Sequence, residues 1–259
     1  MANKARSGLN RGLDVLELLA REKDIATLTE VARHLRMSKS GAHNVISTLS
    51  HRGYVERTPR GSYRLGLRAW EIGCGIAKID LSRLAEPYMQ ALVETIDEGA
   101  ILGVLDGADV VYIQLVQSPQ PVRVHAELGD RIAVHCTSTG LALLACLPPD
   151  EVKSLVPAKL AANSPETITD LPALLRELRR VRERGYAINR GGWRTDVGGI
   201  AAAVLEESGR PVAGLCVAAP RYRMTRTWIA RVAPAVLATA QEIADAFRQA
   251  SGARTASSP

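Results

Sequence analysis

Apolar residues recur at helical intervals near the start of the chain. Between residues 9 and 20 they lie three or four positions apart, which predicts an amphipathic helix whose inner face carries Leu9, Leu13, Leu16, Leu19 and Ala20. Residues 1–7 are polar and are predicted to be disordered. Arg6 and Arg11, close to the start of this helix, could contact a phosphate.

The same periodicity returns later in two shorter pieces. Thr27 and Glu30 have the T-x-x-E spacing of a capping box, which predicts that a helix starts there. Ser38 is a candidate N-cap for a second helix over about residues 39–51, and Gly53 is suited to end it. Two short helices joined by a tight turn are typical of a helix-turn-helix.

Two strand-like runs follow, at 54–57 and 62–65, separated by a basic turn. This hairpin predicts a wing, so the segment is a winged helix-turn-helix whose second helix would enter a groove of DNA. Polar side chains on that helix can bond base edges and phosphates. The predicted DNA contacts are Arg11, Thr27, Ser38, Lys39, Ser40, His43, Asn44, Ser47, Arg60 and Tyr63.

Residues 67–79 keep an apolar helical pattern without proline and are predicted to form a linker helix between two domains. Trp70 is too large for the small N-terminal core, so it packs either on its own domain or against a second copy of the chain. One winged helix-turn-helix covers only one half-site. We therefore predict a homodimer on a pseudo-palindromic operator of double-stranded DNA.

Strand-like and helical runs are mixed from residue 81 onwards. Helices are predicted at 84–97, 138–146, from 150, from 171 to 185, and at 225–249. Strands are predicted at 100–105, 110–116, 122–125, 200–205 and 212–218. Pro87 is expected in the first turn of the first helix, Asp150 is expected to cap the third, and Pro234 to interrupt the last. Turns between successive strands predict an α+β fold with a central antiparallel sheet.

These patterns divide the chain into a winged helix-turn-helix domain at 1–66, a linker helix at 67–80, a second domain at 81–250 and a disordered tail at 251–259. Residues 1–66 hold 12 Lys/Arg and 6 Asp/Glu, whereas residues 67–259 hold 21 of each. The whole net charge of +6 therefore lies on the segment with the helix-turn-helix. A basic excess confined to that segment is what DNA binding requires.

Composition disfavours several classes of protein. No run of eighteen apolar residues indicates a membrane span, and the N-terminus lacks the apolar segment of a secretory signal. Cys74, Cys136, Cys146 and Cys216 are scattered without a C-x-x-C pair, which argues against a zinc site or a disulfide scaffold. We predict a cytoplasmic protein with reduced thiols and with neither a metal nor a cofactor.

With these motifs in this order, the chain resembles the IclR family of bacterial transcription regulators. The matching stretches are RGLDVLELLA, LTEVARHLRMSKSGAHNVISTLSHRGYVER, YRLGLRAWEIG, VVYIQLVQSP, HCTSTGLALLACLP, ITD with ELRRVRERGYAIN, and IAAAVLEESGRPVAGLCVAAP. The resemblance implies a winged helix-turn-helix, a linker helix and an effector-binding domain with a curved antiparallel sheet flanked by helices. It also implies dimers, often paired into tetramers, and a small organic acid, often aromatic, as effector.

Three stretches are expected to line the effector pocket, because relatives place contacts in similar stretches. Residues 137–140 form a helix start whose hydroxyls and amides suit a carboxylate. In 189–196 the family often has acidic residues, whereas this chain has arginines and a tryptophan, which suit an anion and a ring. A strand around 216 is the third. The predicted contacts are Thr137, Ser138, Thr139, Gly140, Arg190, Trp193, Arg194, Asp196, Cys216 and Ala218.

The predicted function is an effector-responsive repressor of a nearby catabolic operon, with a transcription activator of the same family as the alternative. A Cys-dependent enzyme acting on a small carboxylate is a further alternative, because His135 adjoins Cys136. Neighbours on a strand point to opposite faces, which argues against their cooperation, and no G-x-S-x-G, P-loop or H-E-x-x-H motif occurs. An architectural DNA-binding protein without a ligand leaves the long neutral second domain unexplained.

Overall fold

The computed structural model describes residues 8–21, 27–73 and 77–256. The predictions for residues 1–7, Arg6 among them, and for Cys74 lie outside the described residues. The chain divides into two compact units, Met1–Ala77 and Lys78–Pro259. Within the described part, no helix combines the length and the apolar character that crossing a membrane requires.

Over its described residues, the N-terminal unit has three helices and a hairpin, followed by a fourth helix. Its elements are α1 (Gly8–Arg21), α2 (Leu28–His34), α3 (Lys39–His51), β1 (Val55–Arg57), β2 (Tyr63–Leu65) and α4 (Leu67–Gly73). Strands β1 and β2 are antiparallel, with Val55 opposite Leu65. This order and pairing are those of the predicted winged helix-turn-helix.

Local hydrogen bonds fix the ends of α2 and α3. The Glu30 amide donates to the Thr27 hydroxyl at 3.3 Å, and the Thr27 amide donates to the Glu30 carboxylate at 2.7 Å, which completes the capping box. The Ser38 hydroxyl accepts from the Gly41 amide at 3.1 Å. Gly53 follows α3 with a φ of 76°, a left-handed conformation that costs glycine little. All three predicted helix boundaries are confirmed.

The face that α1 buries differs from the predicted one. Val15, Leu18 and Leu19 are buried, whereas Leu9 is 73% and Leu13 is 49% exposed. The three buried positions share one helix face and lie in the second half of α1, which is the part that reaches the core. The first half of α1 therefore leaves leucines on the surface of this unit.

The C-terminal unit is built around a six-stranded antiparallel sheet with strand order β5-β4-β3-β8-β7-β6. Its elements are α5 (Ala77–Ile96), β3 (Gly99–Asp106), β4 (Asp109–Val116), β5 (Arg131–Ala133), a 3₁₀ turn (Val134–Cys136), α6 (Ser138–Ala145), α7 (Pro149–Leu155), α8 (Leu171–Arg184), β6 (Ala187–Arg190), β7 (Val197–Leu205), β8 (Pro211–Pro220), a 3₁₀ turn (Arg221–Arg223) and α9 (Arg226–Ala256). The predicted linker corresponds to α4 and the start of α5. Residues 74–76 between them lie outside the described residues.

Two hydrophobic cores cover the two faces of the sheet. Helices α5 and α9 pack on one face, and α6, α7 and α8 pack on the other. Because side chains alternate along a strand, neighbouring residues of β3 belong to different cores: Leu102 faces α5 and α9, whereas Ile101 faces α6. The helices therefore flank the sheet, as the α+β prediction requires.

The structure corrects several predicted elements. Residues 122–125 are not a strand; they belong to a loop at 117–130. Strands β5 and β6 were missed, because three or four residues are too few to show a period of two. Pro148, not Asp150, is the N-cap of α7, and Pro149 occupies the first turn, where a missing N–H breaks no hydrogen bond.

Two prolines lie inside helices instead of limiting them. Pro87 is within α5 and Pro234 within α9, and both are exposed. A proline leaves one carbonyl of the preceding turn without its helical partner, and on an exposed face water can bond that group. Helix α9 continues to Ala256, so residues 251–256 of the predicted tail are helical. Residues 257–259 lie outside the described residues.

Candidate DNA-binding surface and effector cavity

Helix α3 presents a polar face on the N-terminal unit. Its inner side chains Ala42 and Ile46 are buried. The five contacts predicted on α3 are all exposed: Lys39, Ser40, His43, Asn44 and Ser47. Exposed donors and acceptors on one helix suit base edges in the major groove. Lys39 adds a positive charge in the first turn, where the helix amides already favour a phosphate.

The hairpin holds Arg60 at its tip. The Thr58 amide donates to the Ser62 carbonyl at 2.8 Å, and the Gly61 amide donates to the Thr58 carbonyl at 2.9 Å. Gly61 has a φ of 84°, which the tight turn requires and glycine adopts readily. Arg60 is exposed, so the turn presents one guanidinium to the outside, as a phosphate contact at a wing needs.

Three other predicted DNA contacts have structural tasks in this unit. Tyr63 is 8% exposed and packs in the hydrophobic core, because this position of β2 faces the helices; the prediction of an exposed contact is corrected. The Thr27 and Ser38 hydroxyls are engaged as helix caps. Arg11 is exposed on α1.

An apolar groove lies between α1, α3 and α4. Its lining includes Leu9, Leu13, Leu16, Val45, Leu49 and Ile72, with Asn44 at one side. Next to it, Leu67 is 68% and Trp70 is 60% exposed on α4. A cluster of exposed apolar side chains on so small a unit marks an interaction surface.

The C-terminal unit contains a cavity on the α6 side of the sheet. The space inside it that a water-sized sphere can occupy is about 40 Å³, which is room for a few water molecules. The wall is formed by strands β3, β4, β7 and β8, the start of α6 and two loops. Six of the ten predicted effector contacts lie in this wall: Thr137, Ser138, Thr139, Trp193, Cys216 and Ala218.

The start of α6 forms the polar part of the wall. The Thr137 hydroxyl caps the helix by accepting from the Gly140 amide at 2.9 Å. The amides of Ser138 and Thr139, in the first turn, have no partner inside the helix. The Ser138 hydroxyl lies 3.3 Å from the Cys216 sulfur. Unpaired amides and hydroxyls at a helix start suit an anionic oxygen.

Gly140 is a packing residue and does not line the cavity. A Cβ at this position would lie 2.0 Å from the carbonyl oxygen of Val134, a backbone atom that cannot move aside easily. The glycine therefore permits α6 to approach the preceding 3₁₀ turn. The prediction of a direct effector contact at Gly140 is corrected. Gly140 affects the cavity only indirectly, because it allows α6 to take its position in the wall.

The loop that carries Trp193 is fastened to its neighbours. Asn189 donates from Nδ2 to the Cys136 carbonyl at 3.0 Å and accepts at Oδ1 from the Gly192 amide at 2.7 Å. The Thr167 hydroxyl donates to the Gly192 carbonyl at 2.6 Å. These bonds hold the backbone just before Trp193, so the indole is fixed as part of the cavity wall.

The charged side chains of this loop lie outside the cavity wall. Arg194 is exposed and forms an ion pair with Asp196, whose Oδ2 accepts from its Nη2 at 2.9 Å. Arg190 is exposed at the end of β6. The expectation that these three side chains line the pocket is therefore corrected. The loop turns its indole inward and leaves its hydrated charges at the surface, where an ion costs less free energy.

Sequence reasoning missed several wall residues, notably Tyr112, Asn189 and Val124. Alternation along β4 could have predicted which face of the sheet Tyr112 occupies. The pairing of β4 with β3 shifts between Leu102 and Gly103, however, and an irregularity of this kind interrupts the alternation. Val124 was assigned to a strand that does not form. No local signal in the sequence shows which loops close over a sheet.

The cysteines near the cavity are not poised for nucleophilic chemistry. Burial raises the pKa of Cys136 to about 11 and that of Cys216 to about 11, so both are protonated thiols at neutral pH. His135 Nε2 lies 2.9 Å from the Ala161 carbonyl oxygen and is engaged there. Among the described residues, no group of three or more His, Cys, Asp or Glu side chains is arranged to hold a metal ion.

Comparisons with known proteins agree with this geometry. Residues 8–59 match the family model described as the IclR helix-turn-helix domain, and residues 75–245 match bacterial transcriptional regulator IclR C-terminal. The HTH-type transcriptional regulator BhcR of Paracoccus denitrificans is 32% identical over 91% of this chain and 85% of that protein. The repressor AllR of Escherichia coli is 26% identical over 95% of this chain and 92% of that protein. A solved IclR homolog complexed with 4-hydroxybenzoate, from Microbacterium hydrocarbonoxydans, has a TM-score of 0.81 at 29% identity, covering 94% of this chain and 100% of that one.

Proposed function

Since this chain belongs to the IclR family of bacterial transcription regulators, we propose that it is an effector-responsive repressor of a catabolic operon. The N-terminal unit binds operator DNA, and the C-terminal unit binds a small organic acid that changes the affinity for DNA. The observation that carries this proposal is an exposed recognition helix in one unit together with a partly polar cavity in the other. The name of the similar repressor AllR supports repression over activation.

The effector of this proposal is a monoanionic carboxylate. The polar part of the cavity wall offers hydroxyls and helix amides, which donate to an anionic oxygen, and no Asp or Glu is among the described wall residues. Trp193 and Ile101 supply flat and apolar surface for the rest of the ligand. Aromatic acids are the first to test, because a similar protein was solved with 4-hydroxybenzoate.

The proposed assembly is a homodimer on a pseudo-palindromic operator, with a dimer of dimers as a further step. The apolar groove between α1, α3 and α4 and the exposed Trp70 beside it support a partner of the same kind, since two half-sites need two recognition helices. In a bacterium such a protein works in the cytoplasm, where the operator is. The raised pKa values of its two cavity cysteines support a binding site over an enzyme.

A ligand screen followed by a DNA titration tests this function. Thermal unfolding of the full chain is measured with a panel of aliphatic and aromatic carboxylates, because a ligand that binds only the folded state raises the unfolding temperature. We expect at least one acid to do so and to alter operator affinity without being consumed. Turnover of the acid would favour an enzyme, and stabilisation by none of the acids would refute the effector role.

A further inference from the structure

Tyr112 occupies an unusual place in the cavity wall. It lies on β4 next to Ile113, the extra residue at which the pairing of β4 with β3 shifts, and its side chain is 7% exposed. A Cβ on Gly103 would stand 3.4 Å from Tyr112 Cδ1 and 2.5 Å from Val110 Cγ1. The close neighbours that require glycine there are Val110 and Thr139, and the phenol ring lies beside them in the core on the α6 side of the sheet.

The hydroxyl of Tyr112 has no hydrogen-bond partner among the described residues, although the side chain is more than nine-tenths buried and lines the cavity. Burial raises the pKa of the phenol, and interactions with Cys216 and Asp130 raise it further. The phenol is therefore neutral at physiological pH and keeps its proton. The hydroxyl is not among the fully enclosed unpaired polar atoms of the described residues, so it borders the cavity space, where a ligand or water can bond it.

The surroundings of Tyr112 point to the same part of the cavity as the start of α6. The pKa of Tyr112 responds to Cys216, and the Cys216 sulfur is 3.3 Å from the Ser138 hydroxyl. Thr139 and Tyr112 both lie next to Gly103. Tyr112, Ser138 and Thr139 therefore line the same cavity.

We propose that Tyr112 is a specificity-determining residue of this cavity, whose hydroxyl donates a hydrogen bond to the carboxylate of the effector opposite the start of α6. This inference rests on the proposed function of the cavity as an effector site. A neutral donor bonds an anionic oxygen more strongly than an amide oxygen, because a charge-assisted hydrogen bond is roughly twice as strong. Tyr112 therefore selects the ionised acid over an uncharged isostere.

The test uses the full chain and two pairs of probes: 4-hydroxybenzoate with 4-hydroxybenzamide, and propionate with propionamide. Affinities are measured by calorimetry for the unaltered protein, for Tyr112→Phe and for Tyr88→Phe. Tyr88 is partly buried against the opposite face of the sheet, so it controls for the loss of a phenol hydroxyl in general. Unfolding temperatures show whether each variant keeps its fold.

We expect Tyr112→Phe to weaken binding of the acid that the protein prefers about 10- to 100-fold and to lower the ratio of acid to amide affinity about tenfold. Tyr88→Phe should change neither quantity. An equal loss for acid and amide would show a structural role and overturn the proposal, as would no loss at all. If the unaltered protein binds neither acid, the proposed function of the cavity fails and the role of Tyr112 with it. If the unaltered protein binds an acid but Tyr112→Phe leaves the ratio of acid to amide affinity unchanged, the cavity is still an effector site. In that case only the proposed role of Tyr112 is wrong.

Discussion

Single side chains on the DNA-binding surface fall into two kinds. Lys39 at the start of α3 and Arg60 at the tip of the wing are exposed cations and suit phosphates. We predict that Lys39→Ala and Arg60→Ala each weaken binding to operator and to random duplex alike, because phosphates carry no sequence information. Each should also lower the slope of log affinity against log salt by about one. Titrations of both duplexes at several salt concentrations measure this.

His43→Ala is the matched comparison on the same helix. His43 is exposed one turn after Lys39, and its ring can bond a base edge. Its loss should cost about 1–3 kcal/mol on the operator and little on random duplex, so specificity falls while the salt slope stays. If His43→Ala and Lys39→Ala behave alike on both duplexes, the division into base and phosphate contacts is wrong.

Glu98 is a buried acid that makes stability depend on pH. It is 3% exposed, and one oxygen accepts from Arg223 Nη1 at 2.9 Å while Oε2 has no partner in the described structure. Burial raises the pKa of Glu98 above its ordinary value of 4.5, although Arg223 opposes the change. A raised pKa stabilises the folded state fully below 4.5, and this contribution is lost as pH rises through the folded-state pKa.

Glu98→Gln should therefore lose less stability than the unaltered protein as pH rises from 4.5. We expect the difference in unfolding free energy between the two proteins to change across this window in favour of the variant at higher pH. Urea titrations between pH 4.5 and 7.5 measure it, with the exposed Glu94→Gln as control. A difference that is constant with pH, or that changes in the opposite direction, contradicts the assignment.

The role of a residue could be predicted from the sequence where the contacts that determine it are close to it along the chain. Thr27 and Ser38 were recognised as caps because each bonds an amide three residues away. Trp193 lines the cavity and its neighbour Arg194 does not, because the direction of two adjacent side chains in a loop follows from contacts with distant segments. The bonds that fix this loop join it to Cys136 and Thr167, which no pattern within the loop reveals.

At the scale of the elements, the position of α6 depends on the close contact between Gly140 and the backbone of Val134. Gly140→Ala would place a methyl group 2.0 Å from the Val134 carbonyl oxygen, so α6 must shift. We predict a destabilisation of about 1–3 kcal/mol together with loss of carboxylate binding. Thermal unfolding and calorimetry measure the two effects.

Gly12→Ala is the control for this substitution. Gly12 lies in α1 beside the apolar groove, in the other unit, and a Cβ there would meet no atom of the same chain within 4 Å, so alanine should leave carboxylate binding unchanged. If Gly140→Ala behaves like Gly12→Ala, α6 is not held by this contact and the cavity tolerates its movement.

Helices and strands could be predicted where the periodic pattern runs over many residues and the ends carry capping residues. Helix α8 was expected from Asp170 to Gly185, and both ends are confirmed by the Asp170 cap and the left-handed Gly185. Strands β5 and β6 were missed because they are short. Pro87 and Pro234 were expected at a helix start and at an interruption, but both lie inside helices. Both are exposed, and exposure follows from tertiary packing, which the sequence pattern does not show.

At the scale of the whole molecule, the apolar groove of the N-terminal unit predicts self-association. Leu13 is 49% exposed and lines this groove. Leu13→Glu should leave the folded unit intact but place a charge in the interface, where an unpaired ion is costly. We predict that sedimentation shows a dimer for the unaltered protein at micromolar concentration and a monomer for the variant.

Leu128→Glu is the control, because Leu128 is 62% exposed, belongs to the C-terminal unit and is not part of the groove lining. It should leave the dimer unchanged. A monomeric unaltered protein, with and without operator, contradicts the proposed assembly. A dimer that survives Leu13→Glu shows that the groove is not its interface.

The most direct test of the central claim is the affinity for operator with and without the acid. A duplex is first selected by the full-length protein from a random library, and fluorescence anisotropy then gives its Kd at one fixed salt concentration. We predict that the selected duplex binds about 10³-fold or more tightly than random duplex, and that a carboxylate which stabilises the protein changes this Kd by about 5- to 150-fold. Equal affinity for both duplexes, or a Kd that does not respond to an acid bound in the cavity, would contradict an effector-responsive regulator.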